Sequence, residues 1–317
     1  MKGDTMKRDM ISILDFENEI EETLDIAIKL KKHIKAGKMF RPLEGRHMGM
    51  IFEKPSLRTR ISFEIGFSHL GGKALYLSPD EIKIGKRESA YDVANVISRY
   101  VDIIMYRAFS NKMMREVAQS AAVPVINGLD DLEHPCQIMA DFQTIKERKS
   151  KLKGLKIVYI GDGNNVCNSM LLGAAAVGMH MTVCCPMGYE PDKEVFARAQ
   201  KMGEKKGLKV EIVREPDVAA KNADVIVTDT WTSMGQEAER ERRMQIFPPF
   251  QVNKRLVANA KPDYIFMHCL PAHRGEEVTE EIIDGPNSVI FDEAENRMWA
   301  QMAVIVKLLA PDAIKKL

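Results

Sequence analysis

Short apolar runs alternate along this chain with segments whose apolar positions recur at helical spacing. Gly49-Met50-Ile51-Phe52, Val101-Asp102-Ile103-Ile104-Met105-Tyr106 and Val123-Pro124-Val125-Ile126-Asn127 read as buried strands. Ile20, Leu24 and Ile28, four apart among charges, predict an amphipathic helix over 20–35. The stretch Ile61 to Leu70 is helical in spacing and stops at Gly71-Gly72. A second series begins at Gly154-Leu155-Lys156-Ile157-Val158-Tyr159-Ile160-Gly161 and continues through Met181 to Cys185, Val225 to Thr228 and Tyr264 to Met267. Such repetition predicts an α/β protein with parallel sheets and helices on both faces. The charged run Lys146 to Lys153 suits a linker or a solvated helix end, so two domains are expected, joined near residue 150.

Composition narrows the class. The 317 residues are 45% hydrophobic and 29% charged, a globular balance with room for two cores. A formal net charge of +1 gives no bulk pull toward nucleic acid or anionic lipid, so any anion preference must come from a local cluster. Nothing reaches a membrane-spanning length, and the charged start (Lys2, Asp4, Lys7, Arg8, Asp9) does not read as a signal peptide. Cys136, Cys167, Cys184, Cys185 and Cys269 are scattered without a Cys-x-x-Cys pair, which suits a reducing compartment. A cytoplasmic enzyme is the expectation.

One local cluster stands out. Ser56 is a natural N-cap, which makes Arg58 and Arg60 first-turn residues. Cations there oppose the positive end of the helix dipole unless an anion is also bound. Helix N–H groups and guanidinium forks together make an oxyanion site. A solvated arginine pair on a turn is the plainer alternative.

The second series invites a dinucleotide reading at Gly161-Asp162-Gly163, but Val166 stands where the third glycine belongs. Cys184-Cys185-Pro186 also replaces the acid expected after the next strand. Nicotinamide binding is therefore not expected. Ligands of open parallel sheets lie beyond the carboxyl ends of strands. At such ends fall Arg107, His134-Pro135-Cys136-Gln137, Asn164-Asn165, Asp229 and His268-Cys269-Leu270-Pro271. Each has a bland reading: His134 as a helix cap before Pro135, Asp229 as a loop cap, Cys269 as a buried thiol. Together they suit a phosphate-bearing acyl donor and an amine acceptor. Ser56, Arg58, Thr59, Arg60 and Arg107 fit a dianion, His134 and Gln137 a carbonyl and amide, Asp229 an amine, and Asn165 an amino-acid head group.

With these motifs in order, the chain from about Met10 to Leu309 resembles the aspartate/ornithine carbamoyltransferase family, and within it the ornithine branch. The motifs are Ser56 to Arg60, His134-Pro135-Cys136-Gln137, Asp229-Thr230-Trp231-Thr232-Ser233-Met234-Gly235, His268-Cys269-Leu270-Pro271, and Glu295-Asn296-Arg297. The resemblance implies two parallel-sheet α/β domains with a C-terminal helix returning to the first. It places a carbamoyl-phosphate-binding domain at 1–149 plus about 295–317 and an ornithine-binding domain at 150–294. It further implies a homotrimer or a multiple of trimers, with the loop Asp80 to Gly85 reaching a neighbour through Lys83. A solvated loop is the alternative for Lys83 and Lys86.

The implied reaction moves the carbamoyl group of carbamoyl phosphate to the δ-amine of L-ornithine, within arginine metabolism, without metal or organic cofactor. Carbamoyl phosphate is expected at Ser56, Leu57, Arg58, Thr59, Arg60, Lys83, Arg107, His134, Gln137, Cys269, Leu270 and Arg297. Ornithine is expected at Asn165, Asp229, Ser233 and Met234, and catalysis at Arg107, His134, Asp229 and Cys269. The bond before Pro271 is cis in the family. A free alkylammonium has a pKa of about 10.4, so desolvation must lower it before it attacks. Asp229 is expected to orient the amine and Cys269 to act as a thiolate whose pKa nearby arginines depress. Leu57 departs from the family's Ser-Thr-Arg-Thr-Arg loop by deleting a hydroxyl, and a similar Leu occurs in relatives that carbamoylate acylated ornithine. N-acylornithine or putrescine is therefore the alternative acceptor, and a non-catalytic anion-binding homologue the alternative of another class. Gln236 to Arg243 reads as a mobile surface flap with solvated arginines.

Overall fold

The computed structural model describes residues 7–233 and 235–317. Contacts divide the chain into one unit that ends at Ala140 and takes in Arg297–Leu317, and a second unit, Asp141–Asn296. The chain leaves the first unit within the helix Pro135–Lys149 and returns to it within the helix Ile290–Leu309. Both units are parallel α/β layers, as the alternating pattern predicts.

In the first unit, β1 (His47–Phe52), β2 (Lys73–Leu77), β3 (Ile103–Arg107) and β4 (Val125–Leu129) form a parallel sheet in the order β2-β1-β3-β4. The chain moves from β1 to one side and then returns to the other, so the strand order reverses between β1 and β3. Such a reversal opens a crevice beyond the strand ends, where Lys54–Arg60 and Arg107 lie. Ile51, Ile104, Tyr106, Val117 and Val125 pack into the core at 0–1% exposure. Each such apolar side chain stabilises the fold by roughly 1.5–3 kcal/mol.

The helix Leu57–His69 starts directly after β1, capped by Ser56, and ends before Gly71 at φ +93°. A Cβ on Gly66 would meet Met302 Cγ at 3.0 Å and Met298 Cγ at 3.2 Å. The missing side chain lets this helix approach the returning C-terminal helix closely.

In the second unit, β5 (Lys156–Ile160), β6 (His180–Cys184), β7 (Val210–Val213), β8 (Val225–Thr228) and β9 (Ile265–His268) run parallel in the order β7-β6-β5-β8-β9. Here the order reverses between β5 and β8, beside Asp162–Asn165 and Asp229. Val158, Ile160, Ile226, Phe266, Leu256 and Ile283 build the core. β2 and β7 are the two strands the apolar pattern does not announce. Both are sheet edges with partly exposed residues throughout most of their length, so neither needs a continuous apolar run. The charged run near 150 proves to be partly helical, since the helix continues to Lys149 before Ser150 turns at φ 62°.

Candidate active site

In the first unit, Ser56 Oγ accepts from the Thr59 amide at 3.4 Å and donates to Thr59 Oγ1 at 3.0 Å. Arg297 Nη2 donates to the same Thr59 oxygen at 2.8 Å. With both lone pairs of that hydroxyl engaged, its proton is left to donate. The first-turn arginines divide. Arg58 is half-buried and has no protein hydrogen bond or ion pair among the described residues. Arg60 is exposed and already has partners: its Nε pairs with Glu64 at 3.3 Å and its guanidinium lies 4.1 Å over the Tyr76 ring. Arg58 therefore has a guanidinium to offer an anion, while that of Arg60 is partly engaged by Glu64 and Tyr76.

Arg107, the last residue of β3, is 7% exposed. His134 is 4% exposed, immediately precedes Pro135 at the start of its helix, and accepts from the Gln137 amide through its carbonyl at 3.0 Å. Burial pushes the His134 imidazole well below its usual range, and the charges of Arg297, Arg107 and Lys54 push it further. It is neutral at physiological pH. Lys54 was not among the expected site residues. It is buried, its pKa is lowered first by desolvation and then by Arg107, and its ammonium sits 4.9 Å from the Phe109 ring centroid. The signal in sequence is its position at the exit of a buried strand, one residue before Pro55. Asp131, Asp130 and Glu53 offset part of this positive charge at Lys54, and a bound anion would offset more.

Leu57 is 70% exposed and offers no polar group. Lys83, exposed at φ 47°, lines a cavity of about 250 Å³ with Phe52, Glu53 and Phe109.

In the second unit, Asp229 lies at the exit of β8 and is 6% exposed. Its Oδ1 accepts from the Thr230 amide at 2.8 Å and from Cys269 Sγ at 3.2 Å. Its Oδ2 accepts from Asn164 Nδ2 at 2.7 Å. Asn164 Oδ1 in turn caps the helix Asn165–Val177 and accepts from Tyr159 OH at 3.1 Å. The sequence places Asn165 in the site and Asn164 only beside it; the structure makes Asn164 the residue that fixes Asp229. Ser233 is half-buried, with its amide donating to Gln236 Oε1 at 3.1 Å. Met234 falls outside the described residues. Leu270 precedes a cis bond to Pro271, and its amide donates to His268 Nδ1 at 2.9 Å.

Two expectations need correction. Cys269 is not a thiolate: burial pushes its pKa well above the usual thiol range, and the Asp229 and Glu293 carboxylates push it further. It is a neutral thiol that donates to Asp229. Arg243 is not solvated. It is 4% exposed and pairs with Asp162 at 2.9 Å, because the helix Arg240–Ile246 turns this one arginine inward while Arg240 and Arg242 stay exposed.

Asp229, His268 and Cys269 bring metal-ligand atoms within 4.8 Å of one another, as do His273, Glu276 and Glu277. The first trio does not suit a resident cation, since the thiol holds its proton and both His268 nitrogens face protein partners. In the second, Glu276 pairs with Arg240 at 2.5 Å.

The two strand-exit clusters coincide with two family models. The aspartate/ornithine carbamoyltransferase carbamoyl-P binding domain matches residues 8–147, and the Asp/Orn binding domain matches 153–308. This chain belongs to the aspartate/ornithine carbamoyltransferase family. It is 51% identical over 305 residues to ornithine carbamoyltransferase of Picrophilus torridus, covering 96% of this chain and 100% of the relative. It is 53% identical over 303 residues to that of Thermococcus kodakarensis, covering 95% of this chain and 96% of the relative. The solved ornithine carbamoyltransferase of Pyrococcus furiosus superposes with a TM-score of 0.93 at 51% identity, covering 95% and 97% of the two chains. Among the described residues no helix is long and apolar enough to cross a membrane.

Proposed function

We propose that this chain transfers the carbamoyl group from carbamoyl phosphate to the δ-amine of L-ornithine, giving L-citrulline and phosphate. The observation that carries this reading is the buried cation cluster around neutral His134, inside the segment that matches a carbamoyl-P binding domain. In this reading the first unit, 1–149 plus about 295–317 by the expected boundaries, holds the donor. Arg58, Ser56, Thr59 and Arg107 take the phosphate, while His134, Gln137 and Arg297 take the carbamoyl carbonyl and amide. The second unit holds the acceptor through Asn165, Asp229, Ser233 and Met234, with Cys269 and Leu270 alongside.

The chemistry follows from charge. The amine nitrogen attacks the carbamoyl carbon, and negative charge develops on the carbonyl oxygen of the tetrahedral intermediate. Arg107, Thr59 and neutral His134 are donors for that oxygen, and such preorganised donors act on the transition state with no reorganisation cost. The C–O bond to phosphate then breaks, phosphate leaves with the electron pair, and the proton lost from nitrogen passes to it. Asp229 accepts from the Cys269 thiol and the Asn164 amide, and these two bonds orient its side chain toward the amine.

Homotrimeric assembly has support in the exposed apolar row Leu57, Ile61 and Ile65, four apart on one helix face, with Leu75 also exposed. Five free thiols support a reducing, cytoplasmic location.

The test supplies the purified chain with carbamoyl phosphate and, in parallel, ornithine, N-acetylornithine, putrescine and aspartate. Citrulline from ornithine is the expected product. Faster turnover of an acylated amine or putrescine moves the acceptor assignment, and no transfer to any amine overturns the reading. Sedimentation at micromolar concentration checks the trimer.

A further inference from the structure

Arg243 sits at a junction that the acceptor chemistry does not itself require. Its Nη1 donates to the Trp231 carbonyl at 2.7 Å and pairs with Asp162 Oδ2 at 2.9 Å. Its Nε donates to Glu239 at 3.0 Å, and its guanidinium lies 4.9 Å from the Tyr189 ring and 5.8 Å from the Phe247 ring. Trp231 packs on Phe247 at 5.7 Å and is itself only 2% exposed. Arg243 is thus a buried, stacked, multiply bonded guanidinium, a geometry lysine cannot reproduce.

Both ends of this junction lead to the acceptor residues. Trp231 lies in the segment Asp229–Ser233, between the carboxylate and the expected specificity residue. Asp162 opens the turn after β5, where its carbonyl accepts from the Asn164 amide at 2.7 Å, and Asn164 holds Asp229. That turn has no slack. A Cβ on Gly163 would lie 2.2 Å from Pro191 N, and the Gly163 amide donates to the Tyr189 carbonyl at 2.9 Å.

We infer that Arg243, with Asp162, is a positioning residue that fixes the Asp229–Ser233 segment and thereby sets affinity for the amine acceptor. It acts by holding the Trp231 carbonyl on one side and the turn that carries Asn164 on the other. A guanidinium provides both bonds from one rigid plane, so the distance between the two segments is set by that plane.

This inference rests on the proposed transfer reaction, and the experiment keeps the two apart. Steady-state kinetics with carbamoyl phosphate and ornithine are measured for the wild-type chain, Arg243→Gln, Arg243→Lys, Asp162→Asn and, as a control, Glu239→Gln. Wild-type transfer establishes the reaction; its absence sinks the underlying reading. Given wild-type transfer, Arg243→Gln raises the ornithine KM at least tenfold, with the carbamoyl phosphate KM within twofold. Arg243→Lys and Asp162→Asn raise the ornithine KM severalfold, and Glu239→Gln, which neutralises the partner that leads nowhere, stays within twofold. Adding millimolar guanidinium ion to an Arg243→Ala variant lowers its ornithine KM, which a loss of general packing would not permit. If Arg243→Gln fails to fold, the Lys and Asn variants carry the same expectation. An unchanged ornithine KM, or parallel rises in both KM values, overturns the inference.

Discussion

Arg297 donates from Nη2 to the hydroxyl oxygen of Thr59 at 2.8 Å, across 238 positions of sequence. Thr59 is wholly buried and Arg297 is 3% exposed, so this charged hydrogen bond is made away from bulk water. It ties the returning C-terminal helix to the first turn of the helix that begins the anion loop. A hydrogen bond to a charged group contributes about 1.5–3 kcal/mol. Arg297→Leu is therefore expected to lower kcat/KM for carbamoyl phosphate by about ten- to a hundredfold, measured as initial citrulline rates. A change under twofold would remove this contact from donor binding.

Arg107 ends β3 among Lys54, Arg297 and neutral His134, where it adds positive charge at a strand exit. Losing one transition-state donor typically costs about 2.7–4 kcal/mol of barrier. Arg107→Ala is expected to reduce turnover by more than about tenfold while circular dichroism and melting temperature stay near wild type. Full turnover in the variant would take Arg107 out of the mechanism.

Cys269 donates as a neutral thiol to Asp229, and its pKa lies well above the usual thiol range because burial and two carboxylates oppose ionisation. The pH profile of kcat/KM should then show no thiol ionisation on its ascending limb near neutrality. Cys269→Ser, which preserves a donor, should retain much more activity than Cys269→Ala. If Ser and Ala were equally damaging and the wild-type profile carried a thiol limb, a thiolate would be the acting species.

Asn164 holds Asp229 through its Nδ2 and caps the helix that follows through its Oδ1. Asn164→Asp keeps the cap oxygen but sets a second carboxylate against the first, where one must protonate. The ornithine KM should rise at least tenfold at pH 8 and partly recover at pH 6. Asn164→Ala loses the cap as well and should also lower stability by about 1 kcal/mol. A pH-independent ornithine KM in the Asp variant would argue against carboxylate repulsion.

Burial lifts the Asp162 carboxyl to about 6 even though Arg243 pulls it down, with Asp229 and Glu239 adding repulsion. A folded-state pKa raised above the unfolded value of 3.8 means the native chain holds a proton that the unfolded chain has released. The stability from this group is complete below the unfolded pKa and is lost as pH rises through about 6. The whole effect is about 3 kcal/mol, and about 2 kcal/mol of it falls between about pH 4.5 and 7.5. Urea midpoints of wild type and Asp162→Asn should therefore diverge over that window, the wild type losing ground as pH increases. A constant difference would place the Asp162 pKa at its ordinary value.

The positions of several expected site residues were legible because their signals are local. Ser56 caps, Pro135 opens a helix, and Arg107, His134 and Asp229 stand at strand exits, all of which a few neighbouring residues specify. Lys54 and Asn164 were underrated for a related reason. Each sits beside an expected residue, and only its partners in space give it a role.

The sequence by itself determined the two α/β series, the central strands and the residue types gathered at their ends, because apolar periodicity and capping act over a turn or a strand. Tertiary structure decided which charges are spent and which are offered. Arg60 is committed to Glu64 and Tyr76, Arg58 has no such commitment, Arg243 is buried against Asp162, and Cys269 keeps its proton. It also decided that the edge strands β2 and β7 form at all. Desolvation and pairing depend on groups brought from distant positions, so no window of sequence contains the information that sets them.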